Sequence, residues 1–186
     1  TQGMVCHETY QDENNNWLSP EEIEKINDKL VKKDDHKIGV KVGPSESMSK
    51  SKKNVIDPEY IINNYGADSV RLFILSDSPP EKDVQWSDQG MVSSFKFIQK
   101  LWILNQKILD EIQKKHLNDV DSEFEKVTNI FLKNVTNNLS KFTYNKIIAN
   151  FYEIYSSLSK LIKKKYSSKT IIQNYKKILA FINKAK

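Results

Sequence analysis

At 186 residues, 38% of them hydrophobic and 10% aromatic, the chain can bury a real core and falls outside the disordered class. One cysteine excludes a disulfide framework, and no apolar run approaches the ~18–20 residues that cross a bilayer. The net charge of +5 is uneven: residues 1–86 carry 11 Lys and Arg against 16 Asp and Glu, whereas residues 87–186 carry 18 Lys against 8 acids.

No signal-peptide pattern is visible, so a cytoplasmic protein is expected. Thr1 starts directly on a strand-like run, and Phe181-Ile182 lies in an amphipathic pattern that stops uncapped at Lys186. The ends therefore read as those of a fragment of something larger.

Gly3 to Tyr10 is short and β-prone, the run 12–16 supplies turn residues, and Trp17-Leu18 follows; this predicts a hairpin. Cys6-His7 invites a metal reading, but no second Cys or suitably spaced His joins them, and His36 and His116 stand apart. No metal site is expected, and Cys6 reads as a core residue. Ser19-Pro20-Glu21-Glu22 carries a capping box with Pro at the first helical position, which predicts a helix through Ile23 and Ile26 to about Leu30. Residues 37–42 alternate weakly and read as a strand ended by Gly43-Pro44.

Ser47-Met48-Ser49-Lys50-Ser51-Lys52-Lys53-Asn54 combines hydroxyls and amines without apolar periodicity. It reads either as a solvated Ser/Lys linker or as an anion-binding loop, in which lysines supply point charges on flexible stems. Asp57 and Pro58 then start a helix that Gly66 ends. Asp68 can cap a second, from Ser69 to about Leu75, with Val70, Leu72, Phe73 and Ile74 largely buried. Arg71, three residues on, can pair with Asp68. Residues 78–83, with Pro79-Pro80, form the expected domain boundary, dividing the chain into 1–83 and 84–186.

Beyond it the periodicity becomes helical. Asp88 can cap a helix running to about Lys114, with Val92, Phe95, Ile98, Leu101, Trp102, Ile108, Leu109 and Ile112 inward. A second helix, with Asp121 as its cap, runs to about Ser140 through Phe124, Val127, Phe131, Val135 and Leu139. A third carries Ile147, Ile148, Phe151, Ile154, Tyr155, Leu158, Leu161 and Ile162. A fourth begins at Ser167 or Ser168 and carries Ile171, Ile172, Tyr175, Ile178, Leu179 and Ile182. Short links between amphipathic helices predict an all-α antiparallel bundle after a small α+β segment. From Lys126 onward 13 lysines face one acid, Glu153, so a polyanion partner and a merely solvated lysine-rich surface are both open. Trp102 and the tyrosines could stack bases, but periodicity puts Trp102 inside.

Met48-Ser49-Lys50-Ser51-Lys52-Lys53-Asn54, then Asp57-Pro58, Tyr65-Gly66-Ala67-Asp68 and Arg71, resembles the signature loop and following helices of class I aminoacyl-tRNA synthetases of the Leu/Ile/Val/Met branch. The opening Thr1 to Val5, the segment Asn16 to Pro20 and the segment Val84 to Gly90 are most similar to leucyl-tRNA synthetases. A weaker match, Phe142 with Asn145, Ala149 and Glu153, extends into the helical half. The resemblance implies a class I catalytic-core segment, residues 1–83, followed by a truncated tRNA-binding bundle, residues 84–186. It implies ATP with Mg2+ as substrate, leucine bound mostly outside this chain, tRNA as partner and a monomeric parent enzyme. It implies Lys50 as the catalytic lysine, which stabilises the ATP triphosphate while the amino acid attacks the α-phosphate. Met48, Ser49, Lys50 and Ser51 would bind ATP, with Lys52 and Lys53 as further candidates. Lys141, Lys146, Lys163, Lys164 and Lys165 would meet tRNA. The family's loop reads Lys-Met-Ser-Lys-Ser, and Ser47 stands where its first Lys is expected. No His-x-Gly-His motif occurs, so the fragment alone is expected to be inactive. Isoleucyl-, valyl- or methionyl-tRNA synthetase and a non-catalytic basic RNA-binding module are the alternatives.

Overall fold

The β-prone run after Gly3 forms β1 (Val5–Gln11), the strand on which the first unit is assembled. The structure, a computed structural model, describes residues 3–114, 122–164 and 166–184. β2 (Trp17–Leu18) returns antiparallel to β1, pairing Tyr10 with Leu18. The turn between them is held by Asp12, whose Oδ1 accepts from the backbone N–H groups of Asn14 (2.9 Å) and Asn16 (2.8 Å). This is the expected hairpin.

The expected helix from Pro20 to Leu30 does not form. The capping box is present, but it closes only a 3-10 turn, Pro20–Glu22. β3 (Ile23–Ile26) and β4 (Lys29–Lys32) follow as an antiparallel pair, with Ile26 opposite Lys29. The reason lies in Asn27 and Asp28, both at positive φ (47° and 63°). Two consecutive left-handed residues make a tight hairpin turn, and Asn and Asp tolerate that region best after Gly.

The strand expected over 37–42 lies further along, as β5 (Lys41–Ser47), antiparallel to β1. Gly43-Pro44 does not end it. The register slips between Glu8 and Tyr10, so Gly43 and Pro44 together oppose Thr9 in a bulge. The ladder is interrupted there, which accommodates a residue without an N–H. Thr9 Oγ1 donates to the carbonyl of Pro44 at 3.1 Å.

α1 (Pro58–Tyr65) starts as expected, with Asp57 Oδ1 accepting from the Glu59 N–H at 3.0 Å, and ends at Gly66, whose φ of 79° suits a residue without a Cβ. α2 (Ala67–Asp77) begins earlier than expected. Asp68 therefore sits in its first turn rather than capping it, and pairs with Arg71 at 2.8 Å across an exposed surface. Phe73 is buried, whereas Val70, Leu72 and Ile74 are half-buried. β6 (Val84–Gln85) runs parallel to the start of β1, pairing Val5 with Val84. Ile61, Phe73, Val84 and Met91 form one buried cluster. Met91 lies on α3 (Asp88–Gln113). The two units divide between Ser93 and Ser94, beyond the 83/84 junction expected from Pro79-Pro80, because β6 and Met91 are built into the first unit.

The second unit packs the rest of α3 with α4 (Ser122–Ser140), α5 (Tyr144–Leu161) and α6 (Ser168–Lys184). Leu104, Ile108, Phe124, Phe131, Val135, Ile147, Ile154, Leu158, Leu161, Ile171 and Ile178 share one core. Each such side chain contributes roughly 1.5–3 kcal/mol on burial. Of the positions predicted inward on α5, Ile147, Ile148, Ile154, Leu158 and Leu161 are buried, and Phe151 and Tyr155 are half-buried. Ser167 caps α6, its Oγ accepting from the Thr170 N–H at 3.2 Å. α4 ends on Phe142 at a φ of 53°, with the Thr143 N–H reaching the Asn138 carbonyl at 3.0 Å.

On α3 the expected inward position Ile108 is buried, but Trp102 and Leu109 are exposed, and Phe97 and Leu104 are buried instead. The line Phe97, Leu104, Ile108 points inward, and Trp102 is 67% exposed. At about 100° per residue Trp102 stands about 140° from that line, nearly on the opposite side of the helix. Asp121, the expected cap of α4, and Lys165 lie outside the described residues, as does His116; the side chains of Phe181 and Ile182 do too.

Candidate functional site

The pairing of β5 with β1 delivers the 47–54 loop. Ser47 lies opposite Cys6, and the Met48 N–H reaches the Val5 carbonyl at 3.2 Å. Met48 is half-buried and lines an apolar cavity of about 180 Å³ with Ile56, Ile61 and Trp86. Its side chain thus anchors the start of the loop. Ser49 is extended, residues Lys50–Lys52 make a 3-10 turn, and Lys53 closes it in the left-handed region at a φ of 54°. The Ser49 and Ser51 hydroxyls are 2.7 Å apart.

The three loop lysines differ. Lys52 pairs with Glu46 and sits 6.0 Å from the Trp17 ring centroid. Lys53 reaches the Glu22 carboxylate at 3.1 Å. The Glu22 carboxyl is held below its ordinary pKa, first by the Ser19 N–H that donates to it at 2.7 Å, and then by Lys53. Lys50 is exposed and has no ion pair among the described residues. An exposed ammonium on a turn with its two neighbours engaged is the available cation for an incoming anion.

Asn54, which the sequence reading left without a role, is fully buried. Its Oδ1 accepts from the Ser49 N–H at 2.8 Å, and its Nδ2 donates to the carbonyls of His7 at 3.2 Å and Glu46 at 3.3 Å. The only sequence signal was a lone amide closing a run of serines and lysines. Beside it, burial lowers the pKa of His7 and raises that of Cys6, and the neighbouring Tyr10 is pushed up to about 12, chiefly by burial. Among the described residues no group of three His, Cys, Asp or Glu side chains could hold a metal.

Residues 40–87 match the family described as tRNA synthetases class I (I, L, M and V). The chain is 46% identical over 166 residues to the leucine--tRNA ligase of Orientia tsutsugamushi, covering 87% of this chain and 19% of the relative. It is 39% identical over 184 residues to that of Rickettsia massiliae, covering 98% of this chain and 22% of the relative. Most of the chain thus matches one segment of leucine--tRNA ligases. It spans about a fifth of the length of these ligases. A solved LeuRS, Agrobacterium radiobacter K84 agnB2, in ternary complex with tRNA and LeuAMS, shares the fold with a TM-score of 0.61 at 23% identity, over 72% of this chain and 18% of that one.

In the bundle, the five lysines singled out from the sequence do not form one site. Lys141 and Lys146 flank the turn into α5 and are exposed. Lys163 and Lys164 follow the other end of α5, about 27 Å away at 1.5 Å per residue. Lys164 is tied to Glu123 at 2.6 Å, which also accepts from the Tyr166 hydroxyl at 2.9 Å. Lys163 lines a groove of about 530 Å³ with Lys100, Lys107 and Lys114. Those three recur every seven residues on α3, so they share one helix face; this spacing was legible in the sequence and was missed. Asp110 and Glu111 also line the groove, and Glu111 pairs with Lys114. No helix among the described residues is long and apolar enough to cross a membrane.

Proposed function

We propose that this chain is part of a leucine--tRNA ligase, in which loop 47–54 meets the ATP triphosphate and the bundle meets tRNA. The observation that carries the first half is Lys50, exposed and without an ion pair among the described residues, on a turn anchored at both ends. Leucine attacks the α-phosphorus of ATP, the bond to the bridging oxygen breaks, and pyrophosphate leaves with the growing charge. An ammonium that engages this leaving group more strongly late in the step than in bound ATP accelerates the reaction. Mg2+ would enter with ATP as part of the substrate. Met48 contributes through its backbone register and its anchoring side chain, Ser49 and Ser51 offer hydroxyls beside Lys50, and Lys52 and Lys53 first have to leave Glu46 and Glu22. Identity to leucine--tRNA ligases over most of the chain favours leucine over isoleucine, valine or methionine. Such an enzyme would work in the cytoplasm.

Lys50→Ala in the full-length enzyme is expected to slow leucine-dependent ATP–pyrophosphate exchange by a factor of ~100 or more, the scale of one lost electrostatic donor. Exchange at the wild-type rate would remove the loop from the ATP site. The 186 residues alone are expected to show no leucylation of tRNA.

The bundle's lysine groove supports the tRNA half of the reading. Lys100, Lys107 and Lys163 present ammonium groups to one channel, a fit for a run of backbone phosphates, which position an RNA without reading its sequence. Lys141 and Lys146 would form a second, separate contact.

A further inference from the structure

We infer that Asn54 is a positioning residue for Lys50: its side-chain amide locks the base of the loop, so that the 3-10 turn presents the ammonium outward in one place. The inference rests on the reading of Lys50 as the lysine that meets ATP.

A fully buried amide has up to two lone pairs and two N–H groups to satisfy. Asn54 uses both ends. It accepts from Ser49, at the entrance of the turn, and donates to His7 on β1 and Glu46 on β5. The orientation of the amide follows from the partners, because one is an N–H and two are carbonyls. Two of the partners, Glu46 and Ser49, lie where β5 runs into the loop, and the third, His7, lies on β1. Asn54 therefore ties the segment before Lys50 to the two central strands, while its own position fixes the segment after Lys53.

Apart from the contact between the Ser49 and Ser51 hydroxyls, the turn itself has little else to hold it. Its internal backbone bond, from the Lys53 N–H to the Lys50 carbonyl, is long at 3.3 Å, and Lys53 stands at a positive φ without being glycine. The flanking ion pairs, Lys52 with Glu46 and Lys53 with Glu22, are partly exposed and weak. They also involve cations that an anion could draw away. The buried amide involves none, so it survives the arrival of ATP and keeps the Lys50 backbone where it is. A catalytic charge displaced by about 1 Å can lose a factor of ~100, so a rigid base under a flexible lysine stem has kinetic consequences.

The test is a double-mutant cycle in the full-length enzyme, read by ATP–pyrophosphate exchange. Asn54→Ala is expected to lower kcat by ~10- to 100-fold with KM for ATP changed by less than about threefold, because a misplaced Lys50 weakens the transition state far more than bound ATP. Combined with Lys50→Ala it is expected to add almost nothing, since a residue acting through Lys50 has nothing left to position. Full multiplication of the two effects overturns the inference and makes Asn54 a general structural residue. Asn54→Ala within about threefold of wild type also overturns it. Lys50→Ala at the wild-type rate overturns the ATP reading itself, and the role of Asn54 with it. Should Asn54→Ala fail to fold, Asn54→Asp, which keeps the acceptor for Ser49 and loses both donors, completes the same cycle with the same outcomes.

Discussion

The loop and the bundle both present lysines, and they do so by different physical means. In the loop, a buried amide, a strand register and two ion pairs single out one ammonium among three. In the bundle, an apolar core fixes the helices and the lysines stand wherever the outward faces leave them. A constrained charge can act on one atom of a substrate. A distributed set can only follow a charged surface, so its members add up rather than depend on one another.

Substitutions can break this contrast in order of expected effect. Phe124→Ala removes a fully buried ring in edge contact with Tyr166, at 5.6 Å between centroids, and is expected to destabilise the bundle by about 3–5 kcal/mol in denaturant titrations. Trp102→Ala, at an exposed position of the same unit, is expected to change stability by less than about 0.5 kcal/mol. In the loop, Lys52→Met and Lys53→Met should slow ATP–pyrophosphate exchange only a few-fold, against the ~100-fold of Lys50→Ala, because each amine is shared with a carboxylate. Equal effects at all three positions would make the loop a distributed site like the bundle. In tRNA-binding titrations of the full-length enzyme, Lys100→Gln, Lys107→Gln and Lys163→Gln should each lower the salt slope by about one, and Lys164→Gln, already neutralised by Glu123, by much less.

A further small effect is one of pH. The carboxyl of Glu22 titrates below its ordinary value in the folded chain. The unfolded chain therefore binds the proton more readily. The stabilisation is complete above the ordinary carboxylate range and fades as pH falls through the lowered value. Glu22→Gln should flatten the acid limb of thermal stability by less than about 1 kcal/mol, as expected of a partly exposed pair. An unchanged limb would show that neither the Ser19 N–H nor Lys53 holds the Glu22 carboxylate in solution.

The sequence announced those parts of the fold whose local and tertiary preferences agree. Asp57-Pro58 starts a helix because cap and first turn ask for the same thing, and α5 carries its apolar stripe without interruption. Where two local signals compete, only the fold decides between them. The Ser19 capping box argued for a helix, but in the fold Asn27 and Asp28 take left-handed conformations and turn the chain into a hairpin that pairs β3 with β4. Pro44 looked like the end of a strand until the bulge opposite Thr9 gave it a place. Lys50 was legible because a motif surrounds it. Asn54 was not, since an amide in a polar loop reads as solvated until three backbone partners close around it.

β6 has a consequence for how the molecule can be divided. Its two residues return to the first strand after the chain has passed through the hairpins, the loop and both short helices, and they fasten that whole excursion at its root. A piece ended at residue 83 would lose the fastening and Met91 together, exposing one flank of β1 and opening the cluster around Phe73. Proteolysis or expression of the first unit should therefore yield a stable piece only when the cut falls past Ser93. A peptide carrying residues 84–93 should rescue the shorter piece by re-forming the clasp in trans.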